Sequence, residues 1–392
     1  MRLMLGTGAA ALALAGMAIA APAGDWPTYG HDKGGQRHSP LVQITPANVA
    51  GLQPAWTYHM RPTQLDAAPV DAAAAAQRAA EAVGPAPPNA PPGGGAFTRQ
   101  RSRFAGSQST PLVVNGVLYT TTPYGRVVAL EPETGKEIWV ANIPGPGQPS
   151  LRGVEYWPGD GTTPPRLFFG TRDGRLIALD AATGQLVAGF GSAGVIDMKT
   201  PEILNGLTTR QYGMTSPPIV WRNLVITGSA VQEFPPRGAA GDVRAWDART
   251  GQLVWTFHSV PRAGEPFHDS WGTDGATARS GANVWGFMTV DEARGIVYMP
   301  FAAPSFDRFG GDRPGDNLFS TTLVAADAAT GKRLWHFQVV RHDIWDNDLQ
   351  APPLLFDVVK GRRRIPAVAI VSKNSLVFVL DRTTGTPIFP VK

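Results

Sequence analysis

From Ser107 onward apolar and polar positions alternate over short runs, and the runs come in pairs. In PLVVNGVLYTTT (111–122), PPIVWRNLVITG (217–228), GFMTVDEARGIVYMPF (286–301) and AVAIVSKNSLVFVL (367–380), two apolar, largely β-branched or aromatic stretches flank a short turn. A period of two around such a turn predicts a β-hairpin, and Asn115-Gly116 is a strong case because both residues tolerate positive φ. The hairpins lead into five copies of one further unit: ALEPETGKEIW (129–139), ALDAATGQLVAGF (178–190), AWDARTGQLVWTF (245–257), AADAATGKRLWHF (325–337) and VLDRTTGTPIF (379–389). Each reads as a strand ending in Asp or Glu, a tight turn closed by Thr-Gly, and a last strand with an aromatic residue about four positions after the glycine. The glycines Gly135, Gly184, Gly251, Gly331 and Gly385 are spaced 49, 67, 80 and 54 apart. A period near fifty with insertions marks a propeller or solenoid, in which the tryptophans Trp139, Trp255 and Trp335 pack between neighbouring sheets.

Composition agrees with many short strands: 45 glycines, 36 prolines, 43% apolar and only 17% charged residues in 392. A net charge of +4 and a pI near 9.4 are too mild and too scattered to argue for nucleic acid. The absence of cysteine excludes disulfides, thiol catalysis, Fe–S ligation and covalent c-type haem in this chain. Arg2, the apolar run 3–20 and the small-residue sites at 18–20 and 21–23 read as a secretory signal over residues 1–23, which predicts a periplasmic location. After it come DWPTYGHDKGGQRHSP, a short helical turn capped at Thr45 with Pro46 next, and PAWTY. Residues 62–103 form an Ala-, Pro- and Gly-rich insertion without the large apolar residues needed to offset the entropy of ordering. The expected domain organisation is therefore the signal, then a partial propeller over 24–392 carrying that insertion.

The densest chemistry lies in RHDIWDND (341–348), directly after the fourth copy of the repeat. Grouped carboxylates can act as a base, hold a hard cation, or form a solvated acidic turn. Together the AxDxxTGxxxW repeat, the opening DWPTYGHDKGGQRHSPL and the HDxWDxD stretch resemble the quinoprotein alcohol and sugar dehydrogenases that use pyrroloquinoline quinone (PQQ), with most similarity to the glucose/quinate/shikimate branch. The repeat alone is less specific, because non-enzymatic propellers share it.

What the resemblance implies is an all-β, eight-bladed propeller, of which this chain carries five to six blades' worth, with PQQ and a divalent cation, calcium by expectation, near its axis. Asp343 matches the catalytic aspartate that takes the alcohol proton as hydride moves to the quinone. Trp285 matches the aromatic floor under the cofactor, Lys373 the lysine that bonds its reactive oxygens, and Arg152 an arginine near its carboxylates. Gln108 and Thr215 fall at polar cofactor contacts. Glu233 matches a cation ligand, but the asparagine expected as a second ligand is Ala303 here, a loss that weakens a calcium site unless water, a carbonyl or Asp307 substitutes. For His342, Asp346 and Asp348 the expectation is loop capping and turn hydrogen bonds. The substrate would be a small-molecule sugar, polyol or other alcohol, and the electron acceptor ubiquinone or a separate cytochrome. Because the family continues well beyond the fifth repeat, the further expectation is a fragment, a truncated product or a split protein whose remaining blades lie on another chain. The alternative is a non-catalytic propeller scaffold or inactive remnant.

Overall fold

The computed structural model describes residues 24–62, 106–145, 147–208 and 211–391. The expected signal segment and all but the first residue of the 62–103 insertion lie outside these residues. Each hairpin and the repeat that follows it fold as one antiparallel sheet. The first sheet is β1 (Leu112–Val114), β2 (Val117–Thr121), β3 (Arg126–Leu130) and β4 (Glu137–Asn142). The second is β5 (Glu155–Trp157), β6 (Arg166–Gly170), β7 (Arg175–Asp180) and β8 (Val195–Asp197). A short ribbon pairs β9 (Tyr212–Gly213) with β12 (Ala230–Val231), while β10 (Ile219–Trp221), β11 (Leu224–Thr227), β13 (Val243–Asp247) and β14 (Leu253–Phe257) make the third sheet. The fourth is β15 (Thr289–Asp291), β16 (Ile296–Pro300), β17 (Thr322–Asp327) and β18 (Arg333–Gln338), and the last is β19 (Leu354–Lys360), β20 (Arg363–Val371) and β21 (Val377–Asp381). The first strands are neighbours in space: β10 lies against β5 and β15, and β15 against β19. The sheets therefore follow one another radially, as the blades of a propeller. Asn115 and Gly116 take φ of 51° and 75° at the first hairpin, as its sequence requires. The helical turn expected after Thr45 is a single exposed 3-10 turn at Val49–Gly51.

The repeat explains how one blade holds the next. Asp180, Asp247, Asp327 and Asp381 each use Oδ1 to accept the backbone N–H two residues on and the hydroxyl of a following threonine at 2.6–3.2 Å, which closes the turn. The glycine after it, at a φ of 70° to 75°, presents bare backbone to the preceding blade's tryptophan. A Cβ on Gly184, Gly331 or Gly385 would sit 2.5–2.6 Å from the ring of Trp139, Trp255 or Trp335. Each indole also donates across the blade boundary, Trp139 to Ala181 O (3.2 Å), Trp255 to Ala328 O (3.0 Å) and Trp335 to Arg382 O (3.2 Å). The second repeat differs, having Ala188 at the tryptophan position and placing Phe190 against Gly251 instead. Trp56, from PAWTY, treats the first repeat in the same way, covering Gly135 and donating to Pro132 O at 2.9 Å.

The segment 25–37 ties the inner strands together. Trp26 exchanges backbone hydrogen bonds with Val113 of β1, Lys33 O accepts from Val290 of β15, and Gly34 O from Leu355 of β19. Thr28 and Lys33 both reach the buried Glu155 of β5, whose carboxylate also accepts from Val220 N of β10. One peptide thus bonds to the first strands of four of the five blade sheets and reaches the fifth, β10, through Glu155.

Truncating a buried aromatic that joins two blades removes both packing and a hydrogen bond. Trp255→Ala is expected to cost about 3–5 kcal/mol, whereas Trp345→Ala, at a side chain 79% exposed, should stay within about 0.5 kcal/mol. Urea denaturation midpoints of the two variants check this.

Candidate cofactor site

Strand direction decides which loops meet. In every blade the loop entering the first strand and the loop joining the second to the third strand emerge on the same face. Arg152 precedes β5, Thr215 precedes β10 and Trp285 precedes β15. Glu233 lies between β12 and β13, Asp307 between β16 and β17, Asp346 and Asp348 between β18 and β19, and Lys373 between β20 and β21. All of these line one cavity of about 320 Å³, within the usual range of roughly 300–1,000 Å³ for small-ligand pockets.

At its centre the Lys373 ammonium lies 2.8 Å from Asp346 Oδ2 and 2.7 Å from Asp348 Oδ2. Burial lowers the pKa of Lys373, but the bonds to the two carboxylates outweigh it and the net shift is upward. Asp348 is buried and acts as a clamp, accepting from Ala303 N at 2.8 Å with one oxygen and from Trp285 Nε1 at 3.0 Å with the other. Thr215 Oγ1 and Ser216 Oγ donate to the main-chain Trp285 O at 3.2 and 2.7 Å, so residue 285 is held by its backbone as well as by its indole N–H. Two cations face its ring, Arg152 with Cζ 5.3 Å from the ring centre and Lys373 with Nζ 5.9 Å from it.

The opposite wall is acidic. Partial burial, then the charges of Asp307, Asp346 and Asp348, push the Glu233 carboxyl above its ordinary range; burial, then Asp346, does the same to Asp307. Asp307 is only 7% exposed, and among the described residues its Oδ1 has no hydrogen-bond partner. Among the described residues no three His, Asp or Glu side chains already form a metal cluster, yet neither Glu233 nor Asp307 is held below its ordinary range by the cations near it. A flat indole flanked by two cations fits a planar polycarboxylate such as PQQ, and the acidic wall fits a hard cation beside it.

Five sequence-predicted residues thus come together in the cavity: Trp285, Lys373, Arg152, Thr215 and Glu233. Gln108 does not, being exposed and outside the lining. Nor does Asp343, and here the expectation of a catalytic base needs correction. Its carboxylate is 0% exposed and accepts four hydrogen bonds at 2.8–2.9 Å, from Thr321 Oγ1, Trp345 N, Asn347 N and Asn347 Nδ2. Saturated and turned away from the cavity, Asp343 is the cap of its own loop. Asp346 and Asp348, expected to be turn residues, are instead the carboxylates that meet Lys373. Sequence reasoning also missed Ser216 and Asn283, whose amide nitrogen is committed to Ser229 O at 2.7 Å while the residue lines the cavity.

A family described as "PQQ: Glucose/ethanol/alcohol dehydrogenase, beta-propeller domain" matches residues 26–392. The chain belongs to this PQQ β-propeller family. Quinoprotein glucose dehydrogenase of Escherichia coli (strain K12) is 31% identical over 93% of this chain and 43% of its own length. Glycerol dehydrogenase large subunit of Gluconobacter oxydans (strain 621H) is 33% identical over 95% of this chain and 47% of its own. The crystal structure of quinohemoprotein alcohol dehydrogenase from Comamonas testosteroni superposes with a TM-score of 0.71 at 29% identity, covering 94% of this chain and 49% of that one. The chain thus spans somewhat less than half the length of these relatives, and the PQQ β-propeller architecture that the resemblance implied is the one it forms.

The different settings of the loop carboxylates separate in stability measurements. Asp343→Ala strands one buried donor, Thr321 Oγ1, at about 1–3 kcal/mol, and three partly buried ones that add to the loss. Asp346→Asn removes one partly exposed ion pair and should cost less than about 1 kcal/mol. Thermal melting of both variants is expected to show a large loss only at position 343.

Proposed function

We propose that this chain holds PQQ over Trp285, beside a divalent cation expected to be calcium, and serves the oxidation of a sugar, polyol or other alcohol in the periplasm. The observation that carries the reading is the convergence of an aromatic floor, two cations and a lysine-linked carboxylate pair on one cavity of a PQQ-family propeller. The names of the relatives, glucose and glycerol dehydrogenases among them, support the substrate class, and the signal-like N-terminus supports the location. When bound, the quinone supplies the acceptor for the hydride and the cation polarises its carbonyl.

The chain's own residues supply the rest. Arg152 and Lys373 offer positive charge to the cofactor carboxylates and to its reduced oxygens, and Asp348 fixes the height of the Trp285 indole through Nε1. Asp346, rather than Asp343, takes the hydroxyl proton. It lines the cavity, it is partly exposed there, and among the described residues Lys373 is its hydrogen-bond partner through one oxygen, which leaves the second oxygen for the substrate. Asp348 is poorly suited, since both of its oxygens are engaged. The electrons would pass on to ubiquinone or to a separate cytochrome.

Reconstituting the mature chain with PQQ and calcium and following dye reduction with glucose, quinate and simple alcohols tests the proposal. Asp346→Asn should lower kcat by about 10²–10⁴ with PQQ affinity unchanged. No tight PQQ binding, or full turnover in Asp346→Asn with loss in a correctly folded Asp343→Asn, would overturn it.

A further inference from the structure

The acidic wall is built by two loops fastened to each other next to their carboxylates. Ser305 Oγ donates to Gln232 O at 2.6 Å, and the rings of Phe234 and Phe306 meet edge-on with centroids 5.7 Å apart. Glu233 lies between Gln232 and Phe234, and Asp307 follows Phe306. The zip therefore sets the two acids side by side on the cavity wall, where both are lining residues. Of the two, Asp307 is the unusual one. A carboxylate more than nine-tenths buried is ordinarily hydrogen-bonded at both oxygens, yet among the described residues its Oδ1 has no partner. Four residues earlier on the same loop, Ala303 has no side-chain donor, and its backbone N–H is already committed to Asp348.

We propose that Asp307 is a direct ligand of the cavity's divalent cation, replacing the side-chain oxygen that Ala303 cannot provide, so that Glu233 and Asp307 hold the ion as a carboxylate pair. The inference deepens the reading above and rests on it for the presence of a cation. Calcium suits the donors: it takes six to eight oxygens at flexible distances and accepts water where protein oxygens run out. With two acids the site carries one more negative charge than a pair of carboxylate and amide, and an apo form with an unpaired buried carboxylate is a destabilised one.

The test needs no quinone. Calcium is titrated calorimetrically into the full mature chain, and melting is followed with and without calcium. The wild type should bind one calcium and melt higher with it. Asp307→Asn should weaken calcium at least tenfold, keep or raise the calcium-free melting temperature, and lose the calcium-induced rise. Ala303→Asn in the Asp307→Asn background should restore part of the affinity. Wild-type affinity in Asp307→Asn, no calcium uptake by the wild type, or a loss of affinity accompanied by a fall in the calcium-free melting temperature would each overturn the assignment. PQQ affinity, measured separately on the same proteins, tells this failure from failure of the quinone reading.

Discussion

The structure depends on a contact repeated from blade to blade: a tryptophan ring seated on the bare backbone of the next repeat's Thr-Gly turn. The ring sits where any Cβ would be 2.5–2.6 Å away, and its N–H donates to a carbonyl of the same turn. The glycine is required twice over, by its positive φ and by the approach of the ring. Because the aspartate before it closes the turn, the docking platform exists before the neighbouring blade arrives. At the boundaries that use it, this contact sets how one blade sits on the next and so helps to place the loops of the cavity face.

The segment 25–37 acts on the same problem from the axis. Sheets in a ring approach each other most closely at their first strands, where backbone groups without partners would be costly to bury. The N-terminal peptide bonds to backbone groups of β1, β15 and β19 and places Lys33 and Thr28 on Glu155, which also serves β10. The cavity then inherits a rigid base, and its charges need no movement to be arranged. Lys373 is held between Asp346 and Asp348, and Asp348 in turn holds Trp285 and Ala303. A single acid thus couples the aromatic floor, the ammonium and the loop that carries Asp307.

Much of this was legible in the sequence, for a physical reason. Alternation, the Asp and Thr-Gly turn and the following aromatic are local consequences of strand geometry and turn chemistry, so they survive insertions between repeats. Trp285, Lys373, Arg152, Thr215 and Glu233 stand at strand entries or on loops close to strand ends, and the strands deliver them to one cavity. Asp343 and Asp346 could not be told apart in this way. They share a loop with no period, and His342 and Asp346 take φ of 48° and 58°, so the chain turns twice and swings the first acid inward and the second outward. Gln108 failed for a similar reason, since it precedes β1 in an exposed stretch with nothing to aim it. Trp56 was passed over because its partner, Gly135, lies 79 residues later.

The central claim is that PQQ lies on Trp285 with Asp346 as the acid that meets the substrate. The most direct measurement is a crystal structure of the chain grown with PQQ and calcium. The account predicts the quinone ring stacked on the Trp285 indole, its carboxylates towards Arg152, and Asp346 as the nearest acid outside the cation's own ligands. A quinone bound away from Trp285, or a rearranged loop that brings Asp343 into the cavity in place of Asp346, would contradict it.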